Sequence, residues 1–243
     1  MNDNLKSLAS SYQMSSETVN LVNSTPIVLL VGVSGAGKDT IKHHLLQTGE
    51  YHHIVSHTTR KPRENMGVME QDGIEYHFID ASQASEMLQQ GKFVEANVYS
   101  GNLYGTSAAE IAASKQEHKI AITDMEIQGV AEYKKISERV IALFILPPDF
   151  NEWQRRLNIR YGVSGANKED MEKRMRTAIE ELKEALEKPY YHFIVNDDIR
   201  EAVKAADEIA HKGNEFGRVD KSFRIWAEKL LLDLESHLNH PVG

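Results

Sequence analysis

Short apolar runs rich in β-branched side chains recur along the chain: PIVLLVGV at residues 26–33, KIAIT at 119–123, VIALFIL at 140–146 and HFIV at 192–195. They are continuous rather than alternating, the character of strands buried on both faces, as in a parallel sheet. Elsewhere apolar positions return every three or four residues, predicting helices at 127–135, 150–160, 168–187 and 199–212. Strand and helix in alternation predict an α/β fold, a parallel sheet with helices on both faces.

Residues 56–106 break that rhythm. Strand-like pieces at EYHFI, KFVEANVY and LYGT, with one helical piece, ASQASEMLQQG, between the first two, predict a small mixed α/β insert. Ser107 and Glu110 have capping-box spacing and should start the helix that returns the chain to the sheet. Flanking this core are two extensions. Residues 1–24 are polar and serine-rich and are expected to form a tail. Residues 213–243 carry Phe223, Trp226, Leu230, Leu234 and Leu238 at helical spacing, predicting an amphipathic helix. Its apolar face packs either on the chain's own domain or on a second copy or another protein partner, so monomer and homodimer are both open.

The chain has 243 residues, 41% hydrophobic and 26% charged, enough for one globular unit with an insert. A net charge of −8 argues against a general nucleic-acid surface but leaves room for a local basic pocket. Without cysteine there is no disulfide framework and no thiolate chemistry. No stretch has the apolar core of a signal peptide or the length of a membrane span, so a cytoplasmic protein without membrane contact is expected. The histidines include the pairs His43-His44 and His52-His53, but none has metalloprotease spacing.

The chemistry begins at GVSGAGKDT, residues 32–40. Gly32, Gly37 and Lys38 fall at the spacing of a phosphate-binding loop, and the loop lies between a predicted strand and a predicted helix, as that motif requires. Successive backbone N–H groups of Ser34, Gly35, Ala36 and Gly37 would face a phosphate, aided by the helix dipole, with Lys38 as the mobile charge. The motif has a hydroxyl directly after the lysine. Here Asp39 follows, and the hydroxyl comes one position later in Thr40. In SHTTRKPR, residues 56–63, Arg60 and Arg63 offer two guanidinium forks to a second phosphate; the alternative for such a segment taken alone is a solvated basic turn.

Together GVSGAGKDT, SHTTRKPR, EQDGIEYHFI, GKFVEANVYSGNLYGTS, TDMEIQG, FILPP, RRLNIR and FIVNDDI occur in the order and spacing of guanylate kinases. The chain resembles that family over roughly residues 25–212. The resemblance implies a P-loop kinase core, a GMP-binding insert over about 56–106 and a lid over about 160–174. It places Gly32, Ser34, Gly35, Ala36, Gly37, Lys38, Asp39 and Thr40 on ATP, with Asn196 near its adenine. Ser56, Arg60, Arg63, Glu70, Tyr76, Glu95, Tyr104, Thr106 and Glu126 fall on GMP, the arginines and tyrosines toward its phosphate and Glu95 toward its base. Arg156, Arg160 and Arg174 fall where the lid arginines act with Lys38 in phosphoryl transfer. Asp124 is placed to hold Mg2+ through water, with Asp39 as a second candidate at the edge of that shell. Glu126 stands where the family usually has aspartate, and the segment from Arg63 to Tyr76 is longer than the usual pattern, leaving Glu64 as a rival to Glu70.

The implied activity is Mg2+-dependent transfer of the ATP γ-phosphoryl group to GMP or dGMP, with no macromolecular substrate. Two alternatives share features: a phosphoryl transferase with another acceptor, such as a ribose bisphosphate, and a non-catalytic guanylate kinase-like interaction module. The intact loop lysine argues against the second, and SHTTRKPR with Glu95 against the first.

Overall fold

The structure, a computed structural model, describes residues 2–65, 67–161, 168–213 and 220–239. Along the chain run α1 (Asn2–Ser10), α2 (Ser16–Ser24), β1 (Ile27–Val31), α3 (Lys38–Gln47), β2 (Tyr51–His53), β3 (His57–Thr58), β4 (Glu64–Asn65) and β5 (Val68–Met69). There follow β6 (His77–Phe78), α4 (Ala81–Gln89), β7 (Phe93–Tyr99), β8 (Asn102–Ser107), α5 (Ala108–Gln116), β9 (Ile120–Asp124), α6 (Ile127–Ile136) and β10 (Ile141–Leu146). The chain ends in α7 (Phe150–Tyr161), α8 (Lys168–Glu187), β11 (Tyr191–Val195), α9 (Ile199–Lys212) and α10 (Asp220–Asn239). Part of the expected lid, residues 162–167, and residues 214–219 and 240–243 of the C-terminal extension lie outside the described residues.

The chain divides into two compact units. The second, formed by Val28–Thr48, Asp124–Val130 and Arg139–Gly243, carries the phosphate loop. Its strands β1, β10 and β11 are parallel, in register from Val28↔Ile141 to Val31↔Phe144 and from Ala142↔Tyr191 to Leu146↔Val195. β1 and β10 are buried at every position, as strands covered on both faces must be. The helices supply that cover: α3 packs with α9, which meets β10 and β11, while α10 packs with α8, α7 and β11.

The C-terminal helix therefore lies on its own unit. Ala227, Leu230 and Leu234 form its buried stripe, Lys183 and Glu235 pair across it at 2.7 Å, and the Arg224 guanidinium sits 5.2 Å from the Phe193 ring centroid. Trp226, expected on the buried face, is 43% exposed because the stripe runs through Ala227 instead.

The first unit comprises Met1–Ile27, Gly49–Thr123 and Ala131–Glu138, well beyond the 56–106 segment. In it β2 and β9 pair in parallel, Tyr51↔Ile120 to His53↔Ile122, and a second sheet has the order β6-β3-β8-β7. β7 and β8 form its long antiparallel ladder, which sets Glu95 opposite Thr106. A tight β4–β5 hairpin pairs Glu64 with Met69.

The N-terminal segment is not a free tail. α1 buries Leu5 against Ala84, Leu88, Phe93 and Leu103, and α2 buries Val22. Ser15 caps α2 by accepting the Thr18 N–H, and the Thr18 hydroxyl donates to the Gly91 carbonyl at 2.8 Å. The Tyr12 hydroxyl bonds the backbone of Phe93, and burial pushes its pKa up to about 12. A Cβ on Gly91, which has φ +66°, would fall 2.5 Å from the Ser15 nitrogen, so only glycine admits this docking. The expected capping box at the start of α5 does not form: the Ser107 hydroxyl is buried without a hydrogen bond, and Glu110 points elsewhere.

Candidate active site

In the second unit the loop between β1 and α3 is shaped by glycine. Gly32, at φ +129°, lies against the Ile145 backbone, where a Cβ would overlap its carbonyl oxygen, and a Cβ on Gly37, at φ +97°, would overlap the Asn196 amide. Gly35 faces Leu157. The turn is braced from behind: Trp153 Nε1 donates to the Ser34 carbonyl at 2.8 Å, and Asn196 Nδ2 donates to the Ala36 carbonyl at 2.8 Å. The Asn196 N–H in turn donates to the Leu146 carbonyl at the end of β10. Asn196 and Ala36 are buried.

Lys38 folds back over this turn, donating to the Gly32 carbonyl at 2.5 Å and the Val33 carbonyl at 3.3 Å. Burial lowers its pKa against the opposing fields of Glu181, Asp124 and Asp39. Asp39 lies in the first turn of α3 with its carboxylate 68% exposed and 4.0 Å from Arg160, and Thr40 beside it is exposed. Arg156 is tied inward, its Nε donating to Glu152 at 2.8 Å and its Nη2 to the Asn196 carbonyl at 2.9 Å. Arg174 is half-exposed on α8. Asp124 is ion-paired with Lys42 of α3, and that attraction carries its pKa below the usual range although burial pushes the other way. Glu126 is exposed at the start of α6. Glu181, on α8, is raised to about 7 by burial, with Lys38 opposing and Glu126 adding to the shift.

The arginine pair and its tyrosines belong to the first unit. Arg60 meets Glu70 in a bidentate pair, 2.8 and 3.0 Å, the fork-to-carboxylate geometry that also fits phosphate. The Arg63 N–H donates to Glu70 at 3.0 Å and its Nε lies 3.4 Å away. Of the two candidate acids, it is Glu70 that meets the arginines, while Glu64 is engaged in the hairpin. The Arg60 bond holds the Glu70 pKa down. The Arg60 guanidinium lies 5.3 Å from the Tyr76 ring centroid, and Tyr76 and Tyr104 meet edge to face at 6.0 Å. Arg63 is 70% exposed against 16% for Arg60, so the two guanidinium groups are held to different degrees.

Glu95 is half-buried on β7. It accepts the Thr106 hydroxyl at 3.0 Å and the Asn97 amide at 3.3 Å, bonds that favour the carboxylate, yet burial dominates and raises its pKa. Gly105 allows the strands to close here, since a Cβ would fall 2.6 Å from the Glu95 carbonyl oxygen. Ser56 is half-buried, its carbonyl accepting the His77 N–H at 2.8 Å.

Lys42, Glu152, Trp153, Glu181 and, beside Glu95, the buried Tyr133 were not legible as site residues. Only Lys42 carried a local signal, one helical turn beyond Lys38 and Asp39. The others come from distant helices, and no sequence spacing links them to the loop.

A glycine-shaped phosphate loop with a retracted lysine, on a parallel sheet, defines a P-loop fold of the kinase type. The family model described as Guanylate kinase matches residues 23–212. The chain is 35% identical over 175 residues to "Guanylate kinase 1" of Oryza sativa subsp. japonica, covering 71% of this chain and 44% of that protein. It is 33% identical over 186 residues to "Guanylate kinase" of Trichormus variabilis, covering 76% and 89%. A crystal structure of guanylate kinase from Anaplasma phagocytophilum shares the fold, with a TM-score of 0.55 at 21% identity over 91% of this chain and 98% of that one. This chain belongs to the guanylate kinase family. It spans less than half the length of the rice relative and of its Arabidopsis thaliana counterpart.

Proposed function

We propose that this chain is a guanylate kinase, transferring the γ-phosphoryl group of ATP to GMP or dGMP with release of ADP. The observation that carries the reading is Glu95, a half-buried carboxylate aimed by Thr106 and standing at the family's base-reading position. Guanine presents N1–H and N2–H₂ on one edge, two donors for one carboxylate, whereas adenine presents a bare acceptor there. A carboxylate facing that acceptor is left unpaired, which is a strong basis for rejection.

The acceptor is already a phosphate oxyanion, so no general base is required and catalysis is positioning and charge neutralisation. Arg60 and Arg63 take the GMP phosphate, with Glu70 holding the arginines at the same subsite and Tyr76 and Tyr104 beside it. The loop N–H groups and Lys38 hold the ATP phosphates, and Arg156, Arg160 and Arg174 of the lid stabilise the transferring group. Asn196 acts as the brace of the loop, and Glu126 flanks the base side of GMP.

Magnesium fits this donor set as an ion carried mainly by phosphates. Among the described residues no three His, Cys, Asp or Glu side chains form a metal cluster, and this small ion keeps several waters and needs only one or two carboxylates. Asp124 would hold it through water, with Asp39 at the rim, and it would supply charge neutralisation to the phosphates.

A coupled ADP-release assay with ATP, magnesium and a panel of GMP, dGMP, AMP, UMP, CMP and ribose bisphosphate tests the proposal. GMP and dGMP should lead by a wide margin. Equal turnover of AMP removes the role given to Glu95, and no turnover of any acceptor favours the interaction-module reading.

A further inference from the structure

Glu110, which the sequence assigns to a helix cap, is used elsewhere in the first unit. Its Oε2 accepts the Val55 N–H at 2.9 Å, and its Oε1 lies 3.0 Å from His77 Nε2. The Glu110 side chain is 15% exposed and that of His77 30%, so both are largely withdrawn from solvent. His77 does two further things. Its N–H donates to the Ser56 carbonyl at 2.8 Å, and its ring lies tilted with its centroid 4.6 Å from that of His57, its registered partner across β3 and β6. The backbone is thus fixed on both sides of Ser56: the N–H of the preceding residue by Glu110, the carbonyl of Ser56 itself by His77. His77 also stands between Tyr76 and Phe78, the two rings over which the Arg60 guanidinium lies at 5.3 and 5.9 Å.

We propose that Glu110 and His77 are positioning residues of the acceptor-nucleotide subsite, fixing the backbone from Val55 to Ser56 and the Tyr76 ring against the nucleoside monophosphate. The inference rests on the assignment of GMP to this unit. The cap that Glu110 gives up is the counterpart of this role: its carboxylate accepts the Val55 N–H in the connection between β2 and β3 and faces the His77 imidazole instead of closing on the start of α5. A glutamate in a plain structural role would affect both substrates through stability. One that aims Ser56 and Tyr76 acts on the acceptor alone.

The test is steady-state kinetics of the full chain with each substrate varied in turn, alongside thermal melting. Glu110→Ala removes both contacts and should raise the KM for GMP about tenfold or more, while the KM for ATP and kcat at saturating GMP stay within about twofold. Glu110→Gln keeps an acceptor for Val55 and a donor for His77, and should restore the KM for GMP to within about threefold of wild type. If Glu110→Ala is poorly folded, His77→Phe decides, since it keeps the backbone N–H and an aromatic ring but loses the pair; its KM for GMP should rise with melting unchanged. A KM for GMP that stays at the wild-type value in the folded variants, or KM values for both substrates that rise together, overturns the positioning role while the kinase assignment stands. Wild-type protein that does not turn over GMP overturns the assignment and this inference with it.

Discussion

Glu95 combines two tendencies that the sequence could not rank. Hydrogen bonds from Thr106 and Asn97 favour its charged form, and burial favours the neutral one and wins. Guanine would add two more N–H donors and tip the balance to the carboxylate. Binding of GMP should then expel a proton wherever the free carboxyl is protonated, from the ordinary glutamate range up to its raised value. The sign follows: GMP affinity falls as pH falls through that raised value, and is flat well above it. Calorimetry in buffers of different ionisation enthalpy should show proton release at mildly acidic pH, and heats independent of the buffer would place Glu95 away from the base. Glu95→Gln should weaken GMP by about 1–3 kcal/mol, abolish the proton release and leave ATP binding unchanged. The mismatch at Asp39 is of a different kind. Its carboxylate is exposed, ion-paired only at 4.0 Å with Arg160, and in the first turn of α3, where the helix dipole favours an acid. A triphosphate brought to the same turn reverses that advantage unless a metal offsets the charge. Asp39→Ser should therefore bind metal-free ATP more tightly, by about two- to fivefold at low ionic strength and less at high salt. Unchanged binding of metal-free ATP would mean that Asp39 points away from the nucleotide.

At the scale of elements, legibility followed the source of the information. β1, β10 and β11 were readable because burial on both faces leaves a continuous apolar run. α8 and α9 were readable because one buried face leaves a helical period, and the loop was readable because glycine alone tolerates Gly32 against Ile145 and Gly37 against Asn196. What escaped was written in distant contacts. α1 and α2 look like a polar serine-rich tail; their anchors, Tyr12 to Phe93 and Thr18 to Gly91, span some eighty residues or nearly so, and no local pattern announces them. The two-residue strand β3 is too short for a period, yet Ser56 immediately precedes it; β6, which follows Tyr76, was readable within EYHFI. Glu110 was misread for the complementary reason, since a local cap signal was overridden by the Val55 N–H and a histidine. The C-terminal helix shows both effects: its amphipathicity was legible, but the buried stripe passes through Ala227 rather than Trp226. Leu234 is fully buried there, so Leu234→Ala should cost about 2–4 kcal/mol in urea unfolding, whereas Leu232→Ala, at a position 65% exposed, should cost under about 0.5 kcal/mol. Equal costs would indicate that α10 is not held on the face that buries Leu234.

For the whole molecule, two shifted groups oppose each other across the pH range in which such a protein is handled. His57 is pushed down to about 4, first by burial and then by His77. Between that value and its ordinary value of about 6.5 the unfolded chain binds the extra proton, so this group makes stability rise with pH. Glu181 is raised to about 7. Between an ordinary value of about 4.3 and that value the folded chain binds the extra proton, so this group makes stability fall as pH rises. Each carries a limiting slope of about 1.4 kcal/mol per pH unit, with opposite sign and overlapping windows, so in a chain that unfolds as one cooperative unit they largely cancel from about pH 4.5 to 6.5. Below that range the balance ends, because Glu152, held at about 2 by Arg155 and Arg156, and Glu70, held down by Arg60, lose their favourable pairs as they are protonated. Glu181→Gln removes one arm of the opposition and leaves the histidine answered only by Glu95, whose pKa burial also raises. Urea unfolding should then show a variant whose stability rises more steeply with pH between pH 5 and 6.5 than that of the wild type. The variant should also exceed the wild type by more at pH 7.5 than at pH 5, since a neutral amide carries no cost of burying charge beside Glu126. Parallel pH profiles for the two proteins would show that Glu181 titrates in the folded chain as it does in the unfolded one.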